Sequence, residues 1–185
     1  MPRIAPLDPT QASPATDEAL FGVKAKLGGL PNIILTLAHS PTALHGYLGF
    51  GSAQAQGLLD GRQREIVALA VGQANRCGYC LAAHTVIGRG AGLSADAIAA
   101  ARAGRGLEPR DAALARFAQT VVESRGTVDE REFEAFIGAG FGAGEAIEVV
   151  ALVAQNTLTN YVNHLAGTVV DFPVVALDLP NSKAA

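Results

Sequence analysis

The segment Glu65-Ile-Val-Ala-Leu-Ala-Val-Gly-Gln-Ala-Asn-Arg-Cys77-Gly-Tyr-Cys80-Leu-Ala-Ala-His84 contains most of the structural and functional information in this chain. Its first half is predicted to be a helix that Asp60 caps and that presents an apolar face with Ile66 and Leu69. Its second half contains the only two cysteines of the 185 residues, three positions apart, with a histidine four positions after the second. Two thiols and an imidazole grouped this closely indicate chemistry more than packing.

A helix over this second half would present Cys77, Cys80 and His84 on one face, because their spacing is i, i+3 and i+7. The two cysteine Cα atoms would then lie roughly 5 Å apart, which is within reach of a disulfide. A thiol in the first helical turn also lies near unpaired N–H groups and the positive end of the helix dipole, which favour the reactive thiolate. The pattern therefore predicts a reversible dithiol–disulfide pair beside an imidazole.

The remaining sequence predicts one helix after another. Hydrophobic spacing, Ser and Asp caps and prolines at helix starts predict helices at 14–27, 41–56, 94–103, 108–125, 129–136 and 144–166, with a further one after Pro31. Only Phe172–Val175 has a weak strand pattern. Residues 1–13, with three prolines and no periodicity, are predicted to form an extended arm across a neighbouring subunit or another part of the fold. The sequence thus predicts an all-α protein with an arm at 1–13 and a single helical domain at 14–185.

The amino-acid composition limits the kinds of molecule that the protein is expected to bind. Hydrophobic residues make up 49% of the chain and charged residues only 17%, so we expect a sizeable core and further apolar surface buried between the subunits of a homo-oligomer. The formal net charge is −3 and the arginines are scattered singly, so no nucleic-acid partner is predicted.

Location is inferred from the ends and the apolar runs of the sequence. The N-terminus lacks the pattern of an export signal, and the apolar windows Ile66–Val71 and Ala146–Ala154 are shorter than the roughly 20 residues that a membrane-spanning helix needs. We therefore expect a cytoplasmic protein without a membrane partner. In a reducing cytosol, a Cys-x-x-Cys pair is more often catalytic or metal-binding than a structural staple.

The complete pattern is Glu65, eleven residues, Cys77-x-x-Cys80, three residues and His84, preceded by Arg64 and followed by Gly88–Gly92. It resembles the active-site signature of the AhpD-like alkylhydroperoxidases, which belong to the carboxymuconolactone decarboxylase superfamily. The resemblance covers roughly residues 60–95, and a pattern with five defined points is much more specific than Cys-x-x-Cys alone.

This resemblance implies an all-helical, oligomeric peroxidase. We predict neither a cofactor nor a metal for it. Carried over residue by residue, it makes Cys80 the thiol that attacks a hydroperoxide, Cys77 the resolving thiol, and Glu65 with His84 a proton relay. A lipoyl-bearing or thioredoxin-like protein would then be the thiol reductant. One departure is that the best-studied members have a histidine between the cysteines, where this chain has Gly78 and Tyr79.

Other interpretations of the same residues stay open from the sequence alone. The cysteines with His84 provide three zinc ligands, but a closed structural zinc site needs four. His84 alone is also compatible with a core histidine, and Glu65 with a surface charge beside Arg62 and Arg64. A non-redox decarboxylase, a general disulfide oxidoreductase and a metal-binding scaffold are the alternative functions.

Two further groups have a predicted place. Asn156, Asn160, Asn163 and Gly167 share one face of the last long helix, and we predict a subunit contact there in preference to a wall of the active site. The aromatic residues Tyr47, Phe50 and Tyr79 either form an apolar entrance for organic peroxides or belong to the core.

Overall fold

The structure is a computed structural model that describes residues 1–179; the last six positions of the predicted domain, 180–185, lie outside the described residues. Over the described part the chain forms nine α-helices: α1 Pro14–Leu27, α2 Asn32–Leu37, α3 Pro41–Gln54, α4 Gly61–Ala74, α5 Gly78–Gly90, α6 Ala95–Arg102, α7 Pro109–Glu123, α8 Glu130–Gly138 and α9 Ala143–Ala166. Residues 1–179 contain no β-strand, so the weak strand prediction at 172–175 is wrong and the all-α prediction is confirmed.

Helix starts follow the predicted caps. Five helices begin after a Ser or Asp whose side-chain oxygen accepts a backbone N–H from the first turn: Ser13, Ser40, Asp60, Ser94 and Asp129. Helix ends are predicted less well. The third helix stops at Gln54, two residues before the expected end, because its last turn tightens into i→i+3 bonds.

Helix α4 lies at the centre of the fold. Seven consecutive residues, Ile66–Gly72, are buried, so this helix is enclosed on all sides, as expected for a helix without a polar face in that region. It packs against α5, α6, α7 and α9. The larger hydrophobic core forms around it and includes a stack in which Phe136 lies between Phe117 and Phe141, with ring centroids 4.2 and 4.4 Å apart.

A second hydrophobic core forms between α1, α2, α3 and the first turns of α5. Its buried members include Leu20, Ile34 and Leu44, together with Cys77 and Cys80. The cysteine pair therefore lies in an apolar environment and not at an exposed helix end.

The N-terminal arm lies on the same chain. The backbone N–H groups of Arg3 and Ile4 donate to the carbonyl of Ala166 at 2.6 and 3.1 Å, at the end of α9, and Leu7 donates to the carbonyl of Leu35 in α2 at 3.1 Å. Between these contacts, His39 Nε2 lies 2.9 Å from the carbonyl oxygen of Ala5. The arm thus spans α2 and α9 of its own fold, while its boundary at residue 13 and the single-domain division stay predictions.

The chain after α9, residues 168–179, returns over the start of α5; we call it the C-terminal segment. Asp171 Oδ2 accepts the backbone N–H of Asn32 at 2.8 Å. Arg102, in α6, donates to the carbonyl oxygens of Ala176 at 2.6 Å and Leu177 at 3.3 Å. Gln73 of α4 also donates to the carbonyl of Leu177, at 2.9 Å, so the segment is held on two helices.

Two properties of the helices concern possible contacts with a membrane and with a second subunit. Among the described residues no single helix has the length and hydropathy to cross a membrane; only α8 and α9 taken together, bent by 115° at their junction, would satisfy the criterion. A row of exposed apolar side chains follows α9: Ile147, Val150, Leu158, Tyr161 and Leu165. The predicted homo-oligomer stays a prediction, and this row is where it would be expected.

Candidate active site

A tight turn between α4 and α5 places the first cysteine. The backbone N–H of Cys77 donates to the carbonyl of Gly72 at 2.8 Å, and that of Arg76 to Gln73 at 3.0 Å, which closes the end of α4. This geometry requires a left-handed residue, and Arg76 adopts it with φ of 52°. Glycine is the usual residue at such a position. Because this chain has an arginine there, its sequence gives no simple signal of the turn.

Cys77 is the N-cap residue of α5. Its Sγ accepts the backbone N–H of Cys80 at 3.3 Å, which is the bond that a serine or aspartate oxygen makes at other caps. The two residues form a disulfide, with their Cα atoms 5.3 Å apart, as the helical spacing predicts. Cys77 therefore lies directly at the positive end of the helix, and Cys80 lies one turn inside it.

Glu65 and His84 form a hydrogen-bonded pair across α4 and α5. His84 Nδ1 lies 2.8 Å from Glu65 Oε2, and the two side chains are 21% and 13% exposed. Burial opposes a positive charge on the ring, but attraction and hydrogen bonding to the Glu65 carboxylate outweigh it and raise the pKa of His84 above its ordinary value. Glu65 is therefore an ion-pair partner inside the fold and not a solvated surface charge.

Close packing of the two helices makes this pair possible. Gly88 faces α4, and a Cβ placed on it would lie 3.2 Å from Leu93 Cδ1, 3.7 Å from Leu69 Cδ1 and 3.8 Å from Glu65 Cβ. Any larger side chain at this position would separate α5 from α4 at the level of Glu65. The glycine therefore fixes the approach that brings the carboxylate to the imidazole.

Asn163, in α9, contacts the sulfurs of both cysteines. Its Nδ2 donates to Cys80 Sγ at 3.3 Å and lies 4.0 Å from Cys77 Sγ. Asn156, Asn160 and Asn163 are all buried within the chain, so the subunit contact predicted for them is wrong, whereas Gly167, the fourth residue of that prediction, is exposed. The helical spacing of the asparagines was a sufficient signal for a shared face, but the sequence could not show that this face turns towards the cysteines.

An apolar cavity opens beside Cys80; we call it the thiol chamber. Its volume is about 500 Å³, and Cys80, His84, Thr159, Asn163 and Asp171 are its polar and sulfur-bearing lining residues. Most of the remaining wall is aliphatic or aromatic. Cys77 does not line the chamber and is fully buried, so the two sulfurs differ in access.

Three aromatic residues were predicted to form either an apolar entrance or part of the core: Tyr47, Phe50 and Tyr79. Their environments in the structure differ. Tyr79 packs edge-on against Phe172 with centroids 5.7 Å apart, and its hydroxyl accepts the backbone N–H of Ile33 at 3.2 Å. Burial and the Asp171 carboxylate raise the pKa of Tyr79 well above its ordinary value, so the phenol between the cysteines cannot relay protons near neutral pH. Tyr47 also lines the chamber, whereas Phe50 is partly exposed and does not line it.

A second, polar cavity lies on the other side of the ion pair; we call it the polar pocket. Its volume is about 120 Å³, and its lining includes Arg64, Glu65, His84 and Gln155. Tyr47, His84 and Thr159 line both cavities. The imidazole thus lies between an apolar space that contains Cys80 and a polar space that contains Glu65.

Metal ligation was one alternative for these residues. Within residues 1–179 no three His, Cys, Asp or Glu side chains lie close enough together to hold a metal ion. His84 uses Nδ1 for Glu65, and the two sulfurs are bonded to each other. In this arrangement the three side chains that the zinc alternative would use contact other protein groups, and the catalytic roles of the four residues stay predictions.

Comparisons with known proteins give a family match and several similar solved structures. Residues 41–107, which include Glu65, both cysteines and His84, match the Carboxymuconolactone decarboxylase family. The AhpD core of an uncharacterized peroxidase-related protein from Ralstonia eutropha JMP134 has a similar structure, with a TM-score of 0.83 and 26% identity over 92% of both chains. The fold is AhpD-like, and residues 41–107 resemble the carboxymuconolactone decarboxylase family.

Two further solved structures share the fold. A peroxidase-related protein from Silicibacter sp. TM1040 has a TM-score of 0.77 and 21% identity, over 90% of this chain and 91% of its own. The debrominase Bmp8, in complex with 2,3,4-tribromopyrrole, has a TM-score of 0.77 and 21% identity over 91% of both chains. The comparison with curated proteins found no match.

Proposed function

We propose that the protein is a thiol-dependent peroxidase that reduces hydroperoxides through a dithiol–disulfide cycle of Cys77 and Cys80, with Glu65 and His84 as its proton relay. The observation that carries the proposal is that Cys80 and His84 line one apolar cavity, while Cys77 is bonded to Cys80 and does not line that cavity. A substrate in the thiol chamber would meet one sulfur and one imidazole, and the second sulfur is already placed to close a disulfide.

In the first step, His84 takes the thiol proton of Cys80 and the thiolate attacks the terminal oxygen of a hydroperoxide. An S–O bond forms as the O–O bond breaks, so Cys80 is oxidised to a sulfenic acid. The leaving alkoxide takes the proton back and departs as an alcohol. Glu65 supports both transfers because its carboxylate stabilises the protonated ring.

In the second step, Cys77 attacks the sulfenic acid sulfur. The S–S bond forms, and the hydroxyl of Cys80 leaves as water with the proton of Cys77. An external dithiol then returns two electrons and two protons by thiol–disulfide exchange and becomes a disulfide itself. We propose a lipoyl-bearing or thioredoxin-like protein as this reductant, and a cytoplasmic location because the cycle needs a reducing compartment.

Paired cysteine variants test this proposal. With dithiol as reductant and cumene hydroperoxide as substrate, Cys80→Ser is expected to abolish consumption of the hydroperoxide. Cys77→Ser, its matched control, is expected to complete one turnover and to retain a sulfenic acid on Cys80, which mass spectrometry after dimedone labelling detects. Consumption by Cys80→Ser at the wild-type rate, or a sulfenic acid on Cys77 of Cys80→Ser with none on Cys80 of Cys77→Ser, would contradict the assignment of the nucleophile.

A second candidate function is reductive dehalogenation of an aromatic ring. A cavity of about 500 Å³ has room for a substrate much larger than a simple peroxide, and Bmp8, which shares the fold, is a debrominase. Release of bromide from 2,3,4-tribromopyrrole by the reduced protein would support this candidate. Turnover of a carboxylate or lactone substrate after replacement of both cysteines would instead support a non-redox enzyme.

We also propose that the protein is a homo-oligomer. The exposed apolar row along α9 gives a continuous surface for a second copy, and apolar rows of this kind seldom remain uncovered. Sedimentation velocity of the wild type and of Tyr161→Glu tests this. Dissociation of the variant to monomer is expected, and a wild type that sediments as a monomer would overturn the proposal.

A further inference from the structure

Asn163 is the only described side chain that donates a hydrogen bond to Cys80 Sγ. Its amide nitrogen lies 3.3 Å from that sulfur and 4.0 Å from Cys77 Sγ, and the residue is 5% exposed. It approaches from α9, more than eighty residues further along the chain, so this contact is a product of helix packing and not of the Cys-x-x-Cys segment.

The surroundings of Asn163 give it no comparable structural role. Its Oδ1 atom is buried and has no hydrogen-bond partner among the described residues. A buried amide is costly unless its polar atoms are satisfied, and here only the sulfurs satisfy it. The neighbouring Asn160 accepts a bond from Asn75 Nδ2 at 2.8 Å, and no hydrogen bond joins it to either cysteine among the described residues, although its own Nδ2 is also buried without a partner.

A thiolate is the form of sulfur that benefits most from this amide. Disulfide and thiol sulfurs are weak acceptors, whereas a hydrogen bond to a charged acceptor is about twice as strong as one between neutral groups. The Asn163 contact therefore gains strength when Cys80 loses its proton, which favours the ionised state.

The two sulfurs differ in how their charge is stabilised. Cys77 receives the backbone N–H of Cys80 at 3.3 Å and lies at the N-cap of α5. Within residues 1–179, Cys80 Sγ accepts no backbone N–H, and it lies in a mostly apolar environment, which disfavours charge. Without another donor, the helix would make Cys77 the more readily ionised thiol.

We propose that Asn163 is a further catalytic residue, whose amide stabilises the Cys80 thiolate and thereby makes the chamber-facing sulfur the nucleophile. The proposal rests on the proposed function in that the thiolate is the attacking species. His84 accepts the proton, and Asn163 holds the charge that remains on the sulfur. When the disulfide is reduced, the N-terminal end of α5 stabilises a negative charge on the Cys77 sulfur in the same way.

The test measures ionisation of Cys80 without any peroxide. In a Cys77→Ser background, the rate at which iodoacetamide alkylates reduced Cys80 is followed from pH 5 to pH 10 by intact-mass spectrometry. Asn163→Leu removes the donor at nearly constant volume, and Asn160→Ala is the matched control, a buried asparagine of the same helix. Circular dichroism reports the fold of each variant.

We expect Asn163→Leu to move the alkylation profile upward by about one pH unit and to slow alkylation at pH 7 about tenfold. Asn160→Ala is expected to keep the profile of the parent. In a Cys80→Ser background, the same substitution at position 163 should move the profile of Cys77 much less. Asn163→Ala carries the same expectation and replaces the leucine variant where that one does not fold.

An unchanged Cys80 profile in a folded Asn163 variant would overturn the proposal. The assay also separates it from the proposed peroxidase function. A wild type that consumes no hydroperoxide, together with a shifted profile in Asn163→Leu, would reject the peroxidase and support the role of Asn163. Normal peroxide turnover by the wild type with an unshifted profile in Asn163→Leu would support the peroxidase function and reject the role of Asn163.

Discussion

His84 Nδ1 lies 2.8 Å from Glu65 Oε2, although the two residues are on different helices. The carboxylate holds the pKa of His84 above its ordinary value of 6.5 despite burial of the ring. A folded-state pKa that is raised contributes stability that is fully present below the pKa of the unfolded state. That contribution is lost as the pH rises through the folded-state pKa.

Glu65→Gln is therefore expected to destabilise the protein more at pH 6 than at pH 9. Urea unfolding of the wild type and the variant at both pH values measures the difference. Glu132→Gln is the control, because Glu132 pairs with Arg116 on other helices and outside both cavities. A difference between wild type and Glu65→Gln that is the same at both pH values would contradict the assigned pair.

Peroxide turnover should also depend on Glu65. If the pair relays protons, Glu65→Gln is expected to lower the rate at pH 7 by about a hundredfold, the range in which a positioned acid–base group acts. Steady-state consumption of cumene hydroperoxide checks this, with Glu132→Gln as control. Retention of the wild-type rate by Glu65→Gln would remove the carboxylate from the proposed mechanism.

The C-terminal segment is expected to control access of the reductant to Cys77. That residue is fully buried, and a Cβ on the adjacent Gly78 would lie 3.7 Å from Leu177 Cδ2. Arg102 holds the segment through two backbone carbonyls. We expect Arg102→Ala to release the segment and to speed reduction of the disulfide by dithiothreitol about fivefold, since hydrogen bonds of a charged group are lost.

Asp178→Ala is the control for this experiment. Asp178 pairs with Arg76 at the surface, where its side chain is 86% exposed, so its loss should leave the reduction rate nearly unchanged. Melting temperatures of both variants distinguish local release from global loosening of the fold. Equal reduction rates for wild type and Arg102→Ala would show that the segment does not limit access.

The size of the thiol chamber predicts a substrate-dependent effect. Ala83 lines the chamber, and Ala83→Phe would place a ring in a space of about 500 Å³ beside Cys80. If substrates bind there, consumption of cumene hydroperoxide should fall at least about fivefold, since excluded apolar contacts are worth about 1 to 3 kcal/mol. Consumption of hydrogen peroxide by the same variant is expected to fall much less, and an equal loss for both substrates would argue against binding in the chamber.

The phenylalanine stack is expected to support the fold and not the chemistry. Phe136 is 1% exposed between two other rings, so Phe136→Ala should lower the free energy of unfolding by about 3 to 5 kcal/mol. Leu107→Ala, at an exposed position, should change it by less than about 0.5 kcal/mol. Urea unfolding checks both. Because Cys80 belongs to the other core, its alkylation rate below the unfolding transition should not change, and a loss of reactivity would show that the two cores are coupled.

Local features of the fold were predictable from the chain because short-range rules govern them. Ser40 before Pro41 and Asp60 before its helix are caps in the structure as in the prediction. The i, i+3 spacing of Cys77 and Cys80 gives Cα atoms 5.3 Å apart, close to the value expected for a helical turn. These relationships depend only on residues within one turn of each other.

Contacts between distant helices were not predictable in this way. The asparagine face of α9 was visible in the sequence, but only the crossing of α9 over α5 turns Asn163 towards Cys80. In the same way, Leu177 reaches Gly78 only because Arg102 and Gln73 hold the C-terminal segment there. Helical periodicity predicts which residues share a face. What that face contacts depends on how the helices pack around α4, and this packing involves residues far apart in the sequence.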